Sequence, residues 1–107
     1  MRRSSVFHAA GLASAALLAA VLAGAAAAQE ADASLLAGAC ASCHGTDGRS
    51  PGSIPPLAGK PFAVLSAQLA AFKAGEARDA TVMTRLALGY SDAELEALAR
   101  HFSQIEP

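Results

Sequence analysis

Two thiols and an imidazole stand together as Cys40-Ala41-Ser42-Cys43-His44. A thiol can add across an alkene. Two thiols at this spacing can add to the two vinyl groups of one porphyrin. The residue that follows then lies beneath the iron and offers it a nitrogen. The pentapeptide therefore reads as an attachment site for one c-type haem, with Cys40 and Cys43 as the covalent anchors and His44 as the first axial ligand. Other chemistries use the same residue types. A structural zinc site needs a full tetrahedral ligand set, and outside this cluster the chain has no further cysteine and only His8 and His101. A thioredoxin-like dithiol belongs in a βαβ unit, and no strand-like alternation is present. A redox or structural disulfide is the competing reading.

A second axial ligand has three candidates. Met83 is the only methionine apart from Met1 and lies 39 residues after His44. That separation gives the chain room to pass to the opposite face of a porphyrin, and a thioether is a common second ligand in electron-transfer haem proteins. His101 would make a bis-histidine iron, and an open sixth position is the third possibility. Arg78 and Arg85 are read as solvated charges, with neutralisation of a haem propionate as the alternative.

The elements around these residues follow from local chemistry. Asp32 or Ser34 can cap a first helix that runs to about Cys43, carries both thiols on its last turn and delivers His44 just beyond. Leu35 and Leu36 are expected on its core side. The stretch 45–60 holds Gly45, Gly48, Pro51, Gly52, Pro55, Pro56 and Gly59, a density that forbids a regular helix. It reads as an ordered loop over the proximal haem face, against the alternative of a flexible linker. A proline carbonyl in it can accept a hydrogen bond from the second nitrogen of the histidine. Pro61 opens a second helix, in which Leu65, Leu69 and Phe72 form one apolar face. Gly75 ends that helix. Residues 76–90 form a mixed segment. Ser91-Asp92-Ala93-Glu94 is a capping box for a last helix, with Leu95, Leu98, Ala99 and Phe102 as its stripe. That helix is expected to cross the first.

The N-terminus reads separately. Arg2 and Arg3 precede a nearly uncharged, alanine-rich run that ends in small residues, the layout of a secretory signal peptide cleaved after Ala28. An uncleaved membrane anchor is the alternative. Residues 1–28 are thus assigned to export and 29–107 to one monohaem domain. Arg2 and Arg3 leave with the signal, so six basic residues face nine acidic ones, a net charge of −3. Such a balance gives no basic patch for nucleic acid. A domain of 79 residues rich in alanine has little large apolar side chain to bury. Domains this small lean on a disulfide, a metal or a cofactor, and a covalent porphyrin meets that need.

The order Cys40-Ala-Ser-Cys-His44-Gly45, Ile54-Pro-Pro-Leu-Ala-Gly59, Phe72-Lys-Ala-Gly75, Met83 and Tyr90-Ser-Asp92 resembles class I cytochromes c over nearly all of residues 29–107. The resemblance implies their compact all-α fold, about three main helices around one covalent haem. It also implies His44 and Met83 as axial ligands and the Pro55 carbonyl as the partner of His44. The run Ala80-Thr-Val-Met83 with Leu88-Gly-Tyr-Ser-Asp92 is similar to the cytochrome subunit of flavocytochrome c sulfide dehydrogenases. Two features depart from that pattern. His101 stands where the class places an aromatic side chain, and some such subunits carry two haems. The function implied is periplasmic electron transfer, with no bond chemistry of its own. The chain would be the electron-accepting partner of a sulfide-oxidising flavoprotein, or else a free-standing carrier between respiratory or photosynthetic complexes. No stable membrane insertion is expected after cleavage.

Overall fold

The computed structural model describes residues 33–107, together with Val21. The export segment 1–28 and the lead-in with Asp32 lie outside the described residues, Val21 apart. Four α-helices follow in order: α1 (33–44), α2 (Phe62–Ala74), α3 (Val82–Ala87) and α4 (Asp92–Ser103). A single 3-10 turn, Thr46–Gly48, precedes the long loop between α1 and α2. No strand occurs among the described residues. The fold is all-α.

One core serves all four helices. Ala37 of α1, Leu65 of α2, Ala87 of α3, and Leu95, Leu98, Ala99 and Phe102 of α4 form a single buried cluster. Leu36, Cys40, Leu57, Phe62, Leu69, Phe72 and Tyr90 pack against it. Three of the seven fully buried members are alanines. Burying a leucine or phenylalanine contributes about 1.5–3 kcal/mol, and alanine far less, so this core is thin.

Leu35 departs from expectation. It is 79% exposed, and the inner face of α1 belongs to Ala33, Ala37 and Cys40 with Leu36 at its edge. Consecutive helical residues are rotated from each other around the axis, and with Ala33 and Ala37 on the inner face, Leu36 lies at its edge and Leu35 beyond it. The loop 45–60 is ordered by specific bonds rather than acting as a flexible linker: Leu57 N–H and Ala58 N–H both donate to the Gly48 carbonyl, at 2.8 and 3.2 Å.

Helix ends obey their local sequence. Pro61 sits one place before α2, and its carbonyl accepts from Val64 N–H and Leu65 N–H. At the other end Gly75 is left-handed, with φ 73°. Glu76 N–H donates to Ala71 O at 2.9 Å and Gly75 N–H to Phe72 O at 3.1 Å, the paired bonds of a Schellman stop. The segment 76–90 resolves into a short helix, α3, flanked by turns. Its bounds were not legible because six residues hold too little periodicity.

Lys73 joins the two longer helices across this segment. Its Nζ donates to Tyr90 O and to Asp92 Oδ1, both at 2.8 Å. The cation lies in the last turn of α2 and the carboxylate in the first turn of α4. Both placements suit the helix dipoles. α3 is thereby held between fixed ends.

The α4 capping box is complete. Glu94 N–H donates to Ser91 Oγ at 3.1 Å, and Ser91 N–H donates to Glu94 Oε2 at 2.8 Å. Ser91→Ala removes one of these bonds and should lower unfolding free energy by about 1 kcal/mol, read as a lower midpoint in a denaturant titration followed by circular dichroism. Glu94→Gln, which can keep the reciprocal bond, should lose less.

Candidate haem-binding site

Helix α1 delivers the chemistry at its C-terminal turn. Cys40 is half-buried against the core, Cys43 is exposed, and neither forms a disulfide. Burial pushes the Cys40 thiol above its ordinary value, while a bond from its own backbone pulls it partly back. The thiolate is the nucleophile, so this cysteine reacts less readily once packed than in an open chain. Attachment before folding suits it better.

His44 belongs to α1 itself, one residue further into the helix than expected. It is the one buried polar side chain among the described residues, 8% exposed. Its Nδ1 lies 2.6 Å from the carbonyl oxygen of Pro55. A carbonyl can only accept, so Nδ1 carries a proton, and in the neutral ring Nε2 is then the nitrogen with the lone pair. The contact fixes the tautomer and the plane of the ring together. It leaves Nε2 free to face away from the loop.

Pro55 reaches that position because the loop is closed beneath it. The chain turns at Gly45, runs through the 3-10 turn, and returns to pair Leu57 and Ala58 with the Gly48 carbonyl. Gly48 has φ +72°, and a Cβ there would come within 2.9 Å of the Phe102 ring and 3.0 Å of Leu57 Cβ. A glycine is required on both counts. Gly59 N–H then donates to Phe102 O at 3.0 Å, tying the loop's exit to the end of α4.

Met83 comes from the other side of the sequence. It is half-buried on α3, one turn before Ala87, which is 1% exposed. Residues four apart share a helix face, so burial of Ala87 turns Met83 inward. Val82 and Leu86 occupy the outer face, at 64% and 51% exposed. His101 is half-buried, its ring edge-on to Phe102 at 5.2 Å. Arg78 and Arg85 are exposed and make no ion pair with a described residue. Arg49 went unremarked in the sequence, yet its side chain bonds Asp47 and the Glu106 carbonyl. No local pattern announces a contact across 57 residues.

The donor set suits one group. The two thiols of Cys40 and Cys43 would hold a haem covalently, and the imidazole of His44 would offer its iron a nitrogen donor. No set of three or more His, Cys, Asp or Glu residues converges as a metal-ion site among the described residues.

The family model for cytochrome c matches residues 28–105. This chain belongs to the cytochrome c family. Members of the family bind haem c covalently, and Cys40, Cys43 and His44 form the expected attachment motif. The family is one of electron-transfer proteins. The chain is 41% identical over 71 residues to the cytochrome subunit of sulfide dehydrogenase from Chlorobaculum tepidum, covering 66% of this chain and 64% of that protein. It is 36% identical over 72 residues to cytochrome c-554(548) of Halomonas halodenitrificans, covering 64% of this chain and 87% of that one. The thiosulfate dehydrogenase electron acceptor of Stutzerimonas stutzeri is 38% identical over 69 residues, covering 62% of this chain and 32% of that protein. The chain thus spans less than two thirds of the first and about a third of the last.

Each thioether consumes one vinyl group. In the haem-loaded cytochrome, Cys43→Ala should leave one vinyl intact and move the reduced pyridine haemochrome band to longer wavelength than in the wild type. An unmoved band would remove Cys43 from the attachment.

Proposed function

We propose that this cytochrome is a periplasmic one-electron carrier, anchored to haem through Cys40 and Cys43 with His44 and Met83 as axial ligands. We assign it as the electron-accepting cytochrome of a flavin-dependent sulfide dehydrogenase. The observation that carries the electron-transfer reading is the hydrogen bond from His44 Nδ1 to the Pro55 carbonyl. It turns a helix-terminal histidine into an oriented ligand whose Nε2 is available. The flavoprotein partner is supported by the 41% identity to a sulfide dehydrogenase cytochrome subunit. Export is supported by the signal-like segment 1–28, with 29–107 as the mature domain. No described helix is long and apolar enough to cross a membrane.

When bound, haem supplies an Fe(III)/Fe(II) couple that takes and gives one electron. The protein's residues set where that couple lies. The carbonyl of Pro55 draws on the Nδ1 proton of His44 and makes Nε2 a stronger donor, which favours the more highly charged iron. The thioether of Met83 works in the opposite sense, favouring the reduced state and raising the potential. Leu57, Leu65 and Phe72 exclude water from the apolar interior and disfavour added charge. The hydrogen bond at one ligand and the covalent anchors nearby limit reorganisation during transfer.

A free-standing carrier is the second reading, favoured by one observation. The chain matches cytochrome c-554(548) over 87% of that protein, against 64% of the sulfide dehydrogenase subunit. Size-exclusion chromatography of a native periplasmic extract, followed at haem and flavin wavelengths, separates the two. Co-elution well above the mass of the free cytochrome, with haem reduction on adding sulfide, is the expected result. Haem eluting alone at small-monomer mass would transfer the assignment to the carrier.

Met83→Ala should lower the reduction potential and alter the low-spin spectrum of the oxidised protein. If both stay as in the wild type, Met83 is not the ligand.

A further inference from the structure

We infer that Arg49 is a positioning residue for His44, holding the loop that presents the Pro55 carbonyl and so tuning the histidine as a ligand. The inference rests on the reading of His44 as the axial ligand.

The loop needs such a hold. Between Ser50 and Pro56 no backbone N–H donates to a backbone carbonyl of a described residue. The only local bond is Gly52 N–H to Ser50 Oγ, at a weak 3.4 Å. Residues 51–56 are exposed. A surface cavity of about 250 Å³ lies between Pro56, Ala58, Ser50, Arg49 and Pro107, beside the base of the loop. Yet Pro55 must keep its oxygen 2.6 Å from His44 Nδ1. Its placement is therefore inherited from the base of the loop.

On the returning side the base is set by Leu57 and Ala58 on Gly48 O. On the outgoing side it is set by Arg49. Nε of Arg49 donates to Glu106 O at 3.0 Å, and Nη1 donates to Asp47 Oδ2 at 2.9 Å. The guanidinium fork thus locks the 3-10 turn to the C-terminal tail, which Gly59 N–H to Phe102 O already anchors nearby. Asp47 is held at φ 54°, left-handed without being glycine, and Arg49 engages the carboxylate of that turn. The Asp47–Arg49 pair is about half exposed, and such pairs contribute little to stability. The role of Arg49 lies in orientation, not in holding the fold together.

A looser Pro55 carbonyl weakens the bond from Nδ1–H. His44 then becomes a poorer donor, Fe(III) is less favoured and the potential rises. The test compares haem-loaded wild type, Arg49→Gln, Arg49→Lys and Asp47→Asn. Asparagine tolerates the left-handed turn, so Asp47→Asn carries the test should Arg49→Gln fail to fold. The readouts are NMR exchange of the His44 Nδ1 proton, the reduction potential and the denaturant midpoint. Arg49→Gln should speed exchange about fivefold, the factor matching one hydrogen bond's net ~1 kcal/mol, and raise the potential. Arg49→Lys and Asp47→Asn should fall between it and wild type. Variants that lower only the denaturant midpoint, with exchange and potential unmoved, overturn the inference. Absence of hyperfine-shifted His44 resonances in the wild type overturns the ligand reading, and the inference with it.

Discussion

A carbonyl that can only accept, 2.6 Å from an imidazole nitrogen, is the constraint on which the site depends. It makes Nδ1 of His44 the donor and leaves Nε2, the nitrogen proposed as the iron ligand, without a role in that bond. Two stretches of chain must meet for the bond to exist. One is the end of an alanine-rich helix, and the other is a loop with almost no backbone bonding of its own. The close approach at Gly48, the pairing of Leu57 and Ala58, and the Arg49 bridge all serve that meeting. The exit of the loop is bonded to the last helix through Gly59 N–H and Phe102 O.

The other half of the domain works by a different device. α3 is too short to be stable alone, and its position comes from its neighbours. Ala87 anchors it in the core, and Lys73 clamps the ends of α2 and α4 around it. Met83 is turned inward by that anchoring rather than by any bond of its own. The proposed ligands therefore have unequal support. His44 is oriented by a directed hydrogen bond, and Met83 by helix rotation and packing. Thioether is a soft donor on a flexible side chain, so looser positioning costs it less.

A core in which alanine takes nearly half the buried places cannot hold this fold by apolar burial alone. The family's covalent cofactor resolves that shortage and performs the function at the same time. The chain is 41% identical over 71 residues to a sulfide dehydrogenase cytochrome subunit and covers 87% of a cytochrome c-554(548).

Much was legible from the residues in order. The Cys40–His44 motif, the capping box at Ser91–Glu94 and the stop at Gly75 are local signals, each acting within a few residues, and each lies in the structure where its chemistry put it. The all-α class followed from the resemblance to class I cytochromes c. Leu35 was misplaced because two adjacent leucines carry the same hydrophobic signal, and only the packing of Ala33 and Ala37 decides which one turns inward. The extent of α3 was not legible, since six residues hold under two turns of pattern. Arg49 was invisible because its partner lies at the far end of the chain. Local chemistry writes itself into sequence through nearest neighbours. The seating of the Pro55 loop is a long-range contact, and only the folded chain brings its two ends together.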